Sequence, residues 1–239
     1  MRKNVTLYML FSLLHVIASA QNNTVIKLVH KVGDKTLQLH TETYFNQFNE
    51  PFTVHKFKYY ITGLQIEYEN GKKKYTFEKP YHLVAEEDST TKMITLNKPL
   101  KNITTISFLL GVDSLRNVSG AQTDDLDPMK GMFWTWNTGY IYAKLEGQSD
   151  SSNAAAHYFS YHVGGYKTNE NAARKVVLKI DEKSQSPINE IAIEADILKW
   201  FVGANEIKIS KAAVCHQPGV LAMMLADNYK NMFTIKAIK

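Results

Sequence analysis

Met132, Trp134 and Trp136 are the residues whose types and spacing invite chemistry. They lie in the run Gly131-Met132-Phe133-Trp134-Thr135-Trp136-Asn137-Thr138-Gly139. On a strand, residues two apart share a face. A thioether and two indoles then line one side, with Phe133, Thr135 and Asn137 on the other. Such a face fits two roles. It is core, or it is the soft, oxidisable wall of a copper site. Exposed indoles on a β-sandwich would instead suit sugar stacking.

Histidine supplies the second set. Seven remain beyond the N-terminal leader: His30, His40, His55, His82, His157, His162 and His216. No HExxH and no His-x-His occurs, so the zinc-protease and zinc-finger patterns are absent. His30, His82 and His162 each sit inside an apolar strand-like run. A buried imidazole must find a hydrogen bond or a metal. A metal centre would therefore be assembled from separate strands.

Asp113 with Asp124, Asp125 and Asp127 offers hard oxygen donors of the kind calcium prefers. Their spacing is not that of an EF-hand, and side-chain capping of turns is the competing role. Cys215, the single cysteine, excludes an internal disulfide. Beside His216 it is a buried, inert thiol or a metal donor. A hydrolase is disfavoured. There is no Gly-x-Ser-x-Gly elbow, and neighbours in a strand such as Cys215 and His216 point oppositely. No catalytic residue is assigned, and the protein is read as a non-enzyme.

The elements that position these groups read as mostly β. Residues 1–20 form a secretory signal peptide. Arg2 and Lys3 precede an apolar run, and Ala18-Ser19-Ala20 offers small residues for cleavage before Gln21. No cysteine follows for a lipid anchor, and no later run has the length of a membrane span. A periplasmic or secreted location follows. Loss of Arg2 and Lys3 lowers the formal charge from +5 to +3, too weak and dispersed to suggest nucleic acid. The 239 residues are 44% apolar, enough for a core. Strands are expected at 25–30, 53–69, 74–77, 81–84, 93–96, 103–112, 132–145, 158–163, 174–180, 190–195 and 206–209, with a hairpin at Asn70-Gly71. A short helical turn is expected at 195–200, and a helix over 218–230 with Leu221, Leu225 and Tyr229 as its apolar stripe. The expectation is one mainly β domain over 21–239, an antiparallel sandwich or barrel-like fold with one short C-terminal helix.

Several segments resemble the MbnP-like copper-binding family of exported bacterial proteins. They are Phe57-Lys58-Tyr59-Tyr60-Ile61, Tyr81-His82-Leu83-Val84, Leu110-Gly111-Val112-Asp113-Ser114, Asn117-Val118-Ser119-Gly120-Ala121-Gln122, Leu126-Asp127-Pro128, the block from Gly131 to Gly147, Tyr161-His162-Val163-Gly164-Gly165, Pro218-Gly219 and Ala226-Asp227-Asn228-Tyr229. The resemblance implies an exported β-sandwich that carries or scavenges copper. It implies metal ligands at His30, His82 and His162 with a Met132 thioether. It also implies a dihaem partner enzyme that oxidises Trp136 or Trp134 to kynurenine. Calcium at the acidic loop is a further expectation. The family's C-terminal strand ends in histidines, whereas Met232 to Lys239 here has none. A metal-free glycan-binding or adhesion module is the alternative, and it requires exposed indoles.

Overall fold

A computed structural model describes residues 23–134, 139–180 and 186–239. The expected signal peptide and Trp136 lie outside the described residues. Two sheets dominate. The smaller runs β15 (Phe233–Ile238), β13 (Glu190–Asp196), β1 (Thr24–Val32) and β2 (Lys35–Thr36), with β7 (Met93–Leu96) also on β1. The larger runs β12 (Arg174–Lys179), β8 (Thr105–Leu110), β4 (Pro51–Tyr68), β10 (Gly139–Gln148), β11 (Tyr158–Gly164) and β14 (Val214–Cys215). Four short strands attach to it: β3 (Tyr44–Phe45), β5 (Lys73–Thr76) and β6 (Tyr81–Ala85) on β4, and β9 (Phe133–Trp134) on β10.

Their inner faces meet through rings. Phe233 on β15 packs against Tyr59 on β4 and Phe108 on β8, at centroid distances of 5.5 and 5.2 Å. Alternation along the strands builds this face. Phe57 and Tyr59, Ala143 and Leu145, and Phe159, Tyr161 and Val163 are buried. Lys58, Ser160 and His162 between them, and Glu146 after Leu145, are only partly covered, whereas Lys144 is buried. The outer face of β4–β10–β11 is therefore where polar chemistry can sit.

The expected sandwich is present, with two departures. β1 pairs parallel to β13, and β11 parallel to β14, because long connections allow parallel neighbours that a hairpin cannot. The run expected as a strand at 206–209 has only a single bridge, Val202 to Glu206. The Asn70-Gly71 hairpin joins β4 to β5, with φ of 60° and 80° at its two residues. The C-terminal helix, α2 (Val220–Tyr229), buries Ala222, Leu225, Ala226 and Tyr229 rather than a stripe through Leu221. α1 (Ser114–Val118) is a single turn in the acidic loop that its polar sequence hides. No helix among the described residues is long and apolar enough to cross a membrane.

Candidate metal centre

Glu146 on β10 and His162 on β11 emerge on the outer face of the large sheet. His162 Nε2 lies 2.7 Å from Glu146 Oε1 and 3.1 Å from Ser160 Oγ. A carboxylate only accepts, so Nε2 carries the hydrogen, and in the neutral ring this tautomer leaves the lone pair on Nδ1. Metal-binding imidazoles are typically oriented in this way, through a carboxylate on the far nitrogen. The His162 bond, with Lys144 and Lys56 nearby, holds the Glu146 carboxyl at about 2. A second imidazole joins from β14. The parallel register Tyr161–Cys215 brings His216 alongside, its ring stacked on His162 at 4.4 Å and 28°. His216 Nε2 shares the Ser160 hydroxyl at 2.8 Å. Partial burial and then the neighbouring His162 lower its pKa, against the pull of Glu146, which favours the neutral ring.

The indole lies one strand step away. A methyl group on Gly164 would stand 2.9 Å from Trp134 Cζ3, so the indole lies against the Gly164 backbone. His162 and Gly164 share a face with about 6.6–6.8 Å between them. Trp134 is 5% exposed and Met132 fully buried. Trp200 is buried as well. The two described indoles therefore offer no stacking platform of the kind a glycan module needs.

The other expected ligands lie elsewhere and are already engaged. His30 points inward between the sheets, against Phe57 and Tyr59. Its Nδ1–H donates to Glu86 at 2.6 Å, and its Nε2 accepts from the Tyr59 hydroxyl at 2.9 Å, so no lone pair is left for a metal. His82 on β6 donates from Nε2 to the Thr91 carbonyl at 2.7 Å, with Nδ1 3.8 Å from Asp125. Among the described residues, no three or more His, Cys, Asp or Glu side chains gather as a metal cluster. His30, His82 and His162 are thus not brought together. The chain segments that carry them belong to different sheet regions, each with its own polar partners.

The acidic loop is likewise occupied. Asp113 caps α1 and accepts from the Tyr81 hydroxyl. Asp125 pairs with Lys130 and Lys79 at 2.7 and 2.8 Å. Asp127 caps the following turn through Met129 N at 2.8 Å. Asp124 stands exposed beside a cavity of about 210 Å³, lined also by Lys79 and Arg116. Asp125 is thus already paired with two lysine ammonium groups. Cys215 is buried, and burial pushes its thiol up to about 11, an unreactive state.

Burial also lowers the pKa of His30 and His82, despite the carboxylate beside each. The unfolded chain takes up protons near 6.5 at these rings, whereas the folded chain resists them. Their stabilisation is complete above that value and is lost as pH falls below it. The carboxylates Glu86 and Asp125, shifted down, keep their contribution until more acidic pH. The urea midpoint should therefore drop between about pH 7.5 and 5. A flat midpoint across that window contradicts the buried, neutral rings.

The two-sheet sandwich sets the fold class, and the family follows from the sequence. The MbnP family model matches residues 21–217, most of the chain, and the protein belongs to that family. Among solved structures, MbnP from Methylosinus trichosporium shares the fold with a TM-score of 0.59, over 89% of this chain and 97% of that one, at 13% identity. No curated protein matches.

The residues that sequence reasoning missed are Glu146 and His216. Glu146 was visible as an outward position in Lys144-Leu145-Glu146-Gly147. His216 was not, since nothing local announces a parallel bridge to a strand more than fifty positions earlier.

Proposed function

We propose that the protein is an exported copper carrier or scavenger rather than an enzyme, with its site on the outer face at His162. The observation that carries this reading is the His162–Glu146 bond at 2.7 Å, which frees Nδ1 one strand step from the Trp134 indole. Membership of a copper-associated family supports it. His216 is the second imidazole within reach of the same ion, and Met132, two residues before Trp134, is the thioether candidate.

Tryptophan oxidation fits this arrangement. A dihaem partner enzyme would supply the oxidising power. Two oxygen atoms, drawn from dioxygen or peroxide as the oxidant the dihaem enzyme activates, would add across the indole C2–C3 bond, which breaks to give N-formylkynurenine; water then hydrolyses the formyl amide, releasing formate and leaving the aryl amine of kynurenine. That nitrogen, with neutral imidazoles, suits Cu(I) at low coordination number. Trp136 is the favoured target and Trp134 the other. Copper affinity falls with acid as the imidazoles protonate.

The test has two arms. Peptide mass mapping across residues 130–147 of protein from its native source should find kynurenine at Trp134 or Trp136. Titration with one equivalent of copper should find a tight site in protein coexpressed with a dihaem oxidase. Absence of a tight site with and without the oxidase overturns the reading.

A further inference from the structure

A second pair of imidazoles stands on the same outer face, on the β4 side of Glu146, and two irregularities of the backbone create it. The first is a bulge in β4. Glu146 pairs with Lys56 and Gly147 with Val54, so His55 is the extra residue. Val54 and Phe57 are both buried, and His55 and Lys56 between them both face outward. Bulges commonly re-aim a side chain in this way. The second is His40, held at φ 69° in the left-handed region, a conformation that costs a non-glycine residue free energy. Its N–H donates to the Val54 carbonyl at 2.8 Å, which ties the turn to the bulge.

Together they set the His40 and His55 rings 4.7 Å apart at 31°, with the Tyr158 ring edge-on to His55 at 5.8 Å. The spacing has a chemical meaning. Two imidazoles on one ion, with metal–nitrogen bonds of about 2.0–2.1 Å and an angle of about 90–110°, place their centroids about 4.5–5 Å apart. Donors are available. His55 Nε2 lies 3.1 Å from the Thr53 hydroxyl, and no other side-chain hydrogen bond engages either ring among the described residues. Burial, then His40, lowers the His55 pKa, against the pull of Glu146, which favours the neutral form a metal requires. His40 is exposed, so an ion can reach the pair from solvent.

We propose that His40 and His55 form a second metal site, a two-imidazole clip for a borderline divalent transition-metal ion, with Cu(II) bound most strongly. Water completes the coordination. The ordering follows the general preference of nitrogen ligands for Cu(II) over its neighbours in the row. The clip does not depend on tryptophan oxidation or on His162.

Cu(II) alone is the probe. In imidazole nitrogen–proton NMR spectra of the purified protein, substoichiometric Cu(II) should broaden the His40 and His55 signals. The same broadening should persist in a His162→Ala/His216→Ala double variant. His40→Asn keeps a residue tolerant of the left-handed backbone, and it should weaken Cu(II) binding at His55 by at least about tenfold. Unchanged circular dichroism and melting would show that this exposed substitution spares the fold. The proposal is overturned if the His40 and His55 signals stay sharp, or if their broadening vanishes in the double variant. Neither result bears on the mass mapping above, so the two readings fail separately.

Discussion

His162→Ala should lower the copper affinity of the oxidised protein by more than about a hundredfold. Removing even an outer-shell partner of a metal ligand costs about 10–100-fold, and His162 is placed to bind the ion itself. Its side chain is partly exposed, at 18%, on the outer face, so the fold does not depend on it. Glu146 would lose its main partner but keep Lys56 at 3.4 Å and Lys144 at 3.8 Å. A Glu146→Gln variant should fall between wild type and His162→Ala, because an amide orients the ring less firmly and leaves it less basic. Competition titration against a chromophoric chelator measures all three. Equal affinity in wild type and His162→Ala would remove this imidazole from the site.

Trp200→Ala should destabilise the protein by about 3–5 kcal/mol, the cost of deleting a large buried aromatic. Trp200 ends the helical turn Ile197–Trp200 and is fully buried. It stacks on Tyr161 at 16° and meets Tyr229 at 4.6 Å and Phe57 at 6.2 Å. It therefore joins β11, α2 and β4. Its carbonyl also accepts from Asn228 Nδ2 at 3.1 Å. With a total stability of about 5–15 kcal/mol and about 2–4 °C per kcal/mol at this chain length, melting should fall by roughly 6–20 °C. A shift under about 2 °C would mean that the core reorganises around the cavity.

Much of the fold was legible because it obeys a period of two. Met93 to Leu96, Tyr158 to Val163 and Arg174 to Ile180 matched their strands to within a residue at each end, since each alternates or is bounded by turn residues. His162 was legible as a candidate for the same reason, as was the proximity of an indole. What the local pattern leaves out shares one cause, namely long-range partners. His30 reads like a ligand until Glu86 and Tyr59 arrive from other strands to take both nitrogens. His82 reads alike until the Thr91 carbonyl closes over it. The acidic loop shows its carboxylates in sequence but not the Lys79 and Lys130 pairs at Asp125. His55 is aimed by a bulge, and a one-residue register shift leaves no mark in the local pattern.

The parallel pairing of β1 with β13 also sets the tempo of folding. Val25 finds Glu190, and Lys31 finds Asp196. The opening strand thus waits for a partner some 165 positions downstream. Contacts so distant in the chain carry a large closure entropy and slow the search for the native state. During synthesis, Ile26 and Leu28 stay uncovered on that side until the final fifth of the sequence emerges. Until β13 is available, β1 keeps an unpaired edge on that side, the kind of surface that invites wrong pairings.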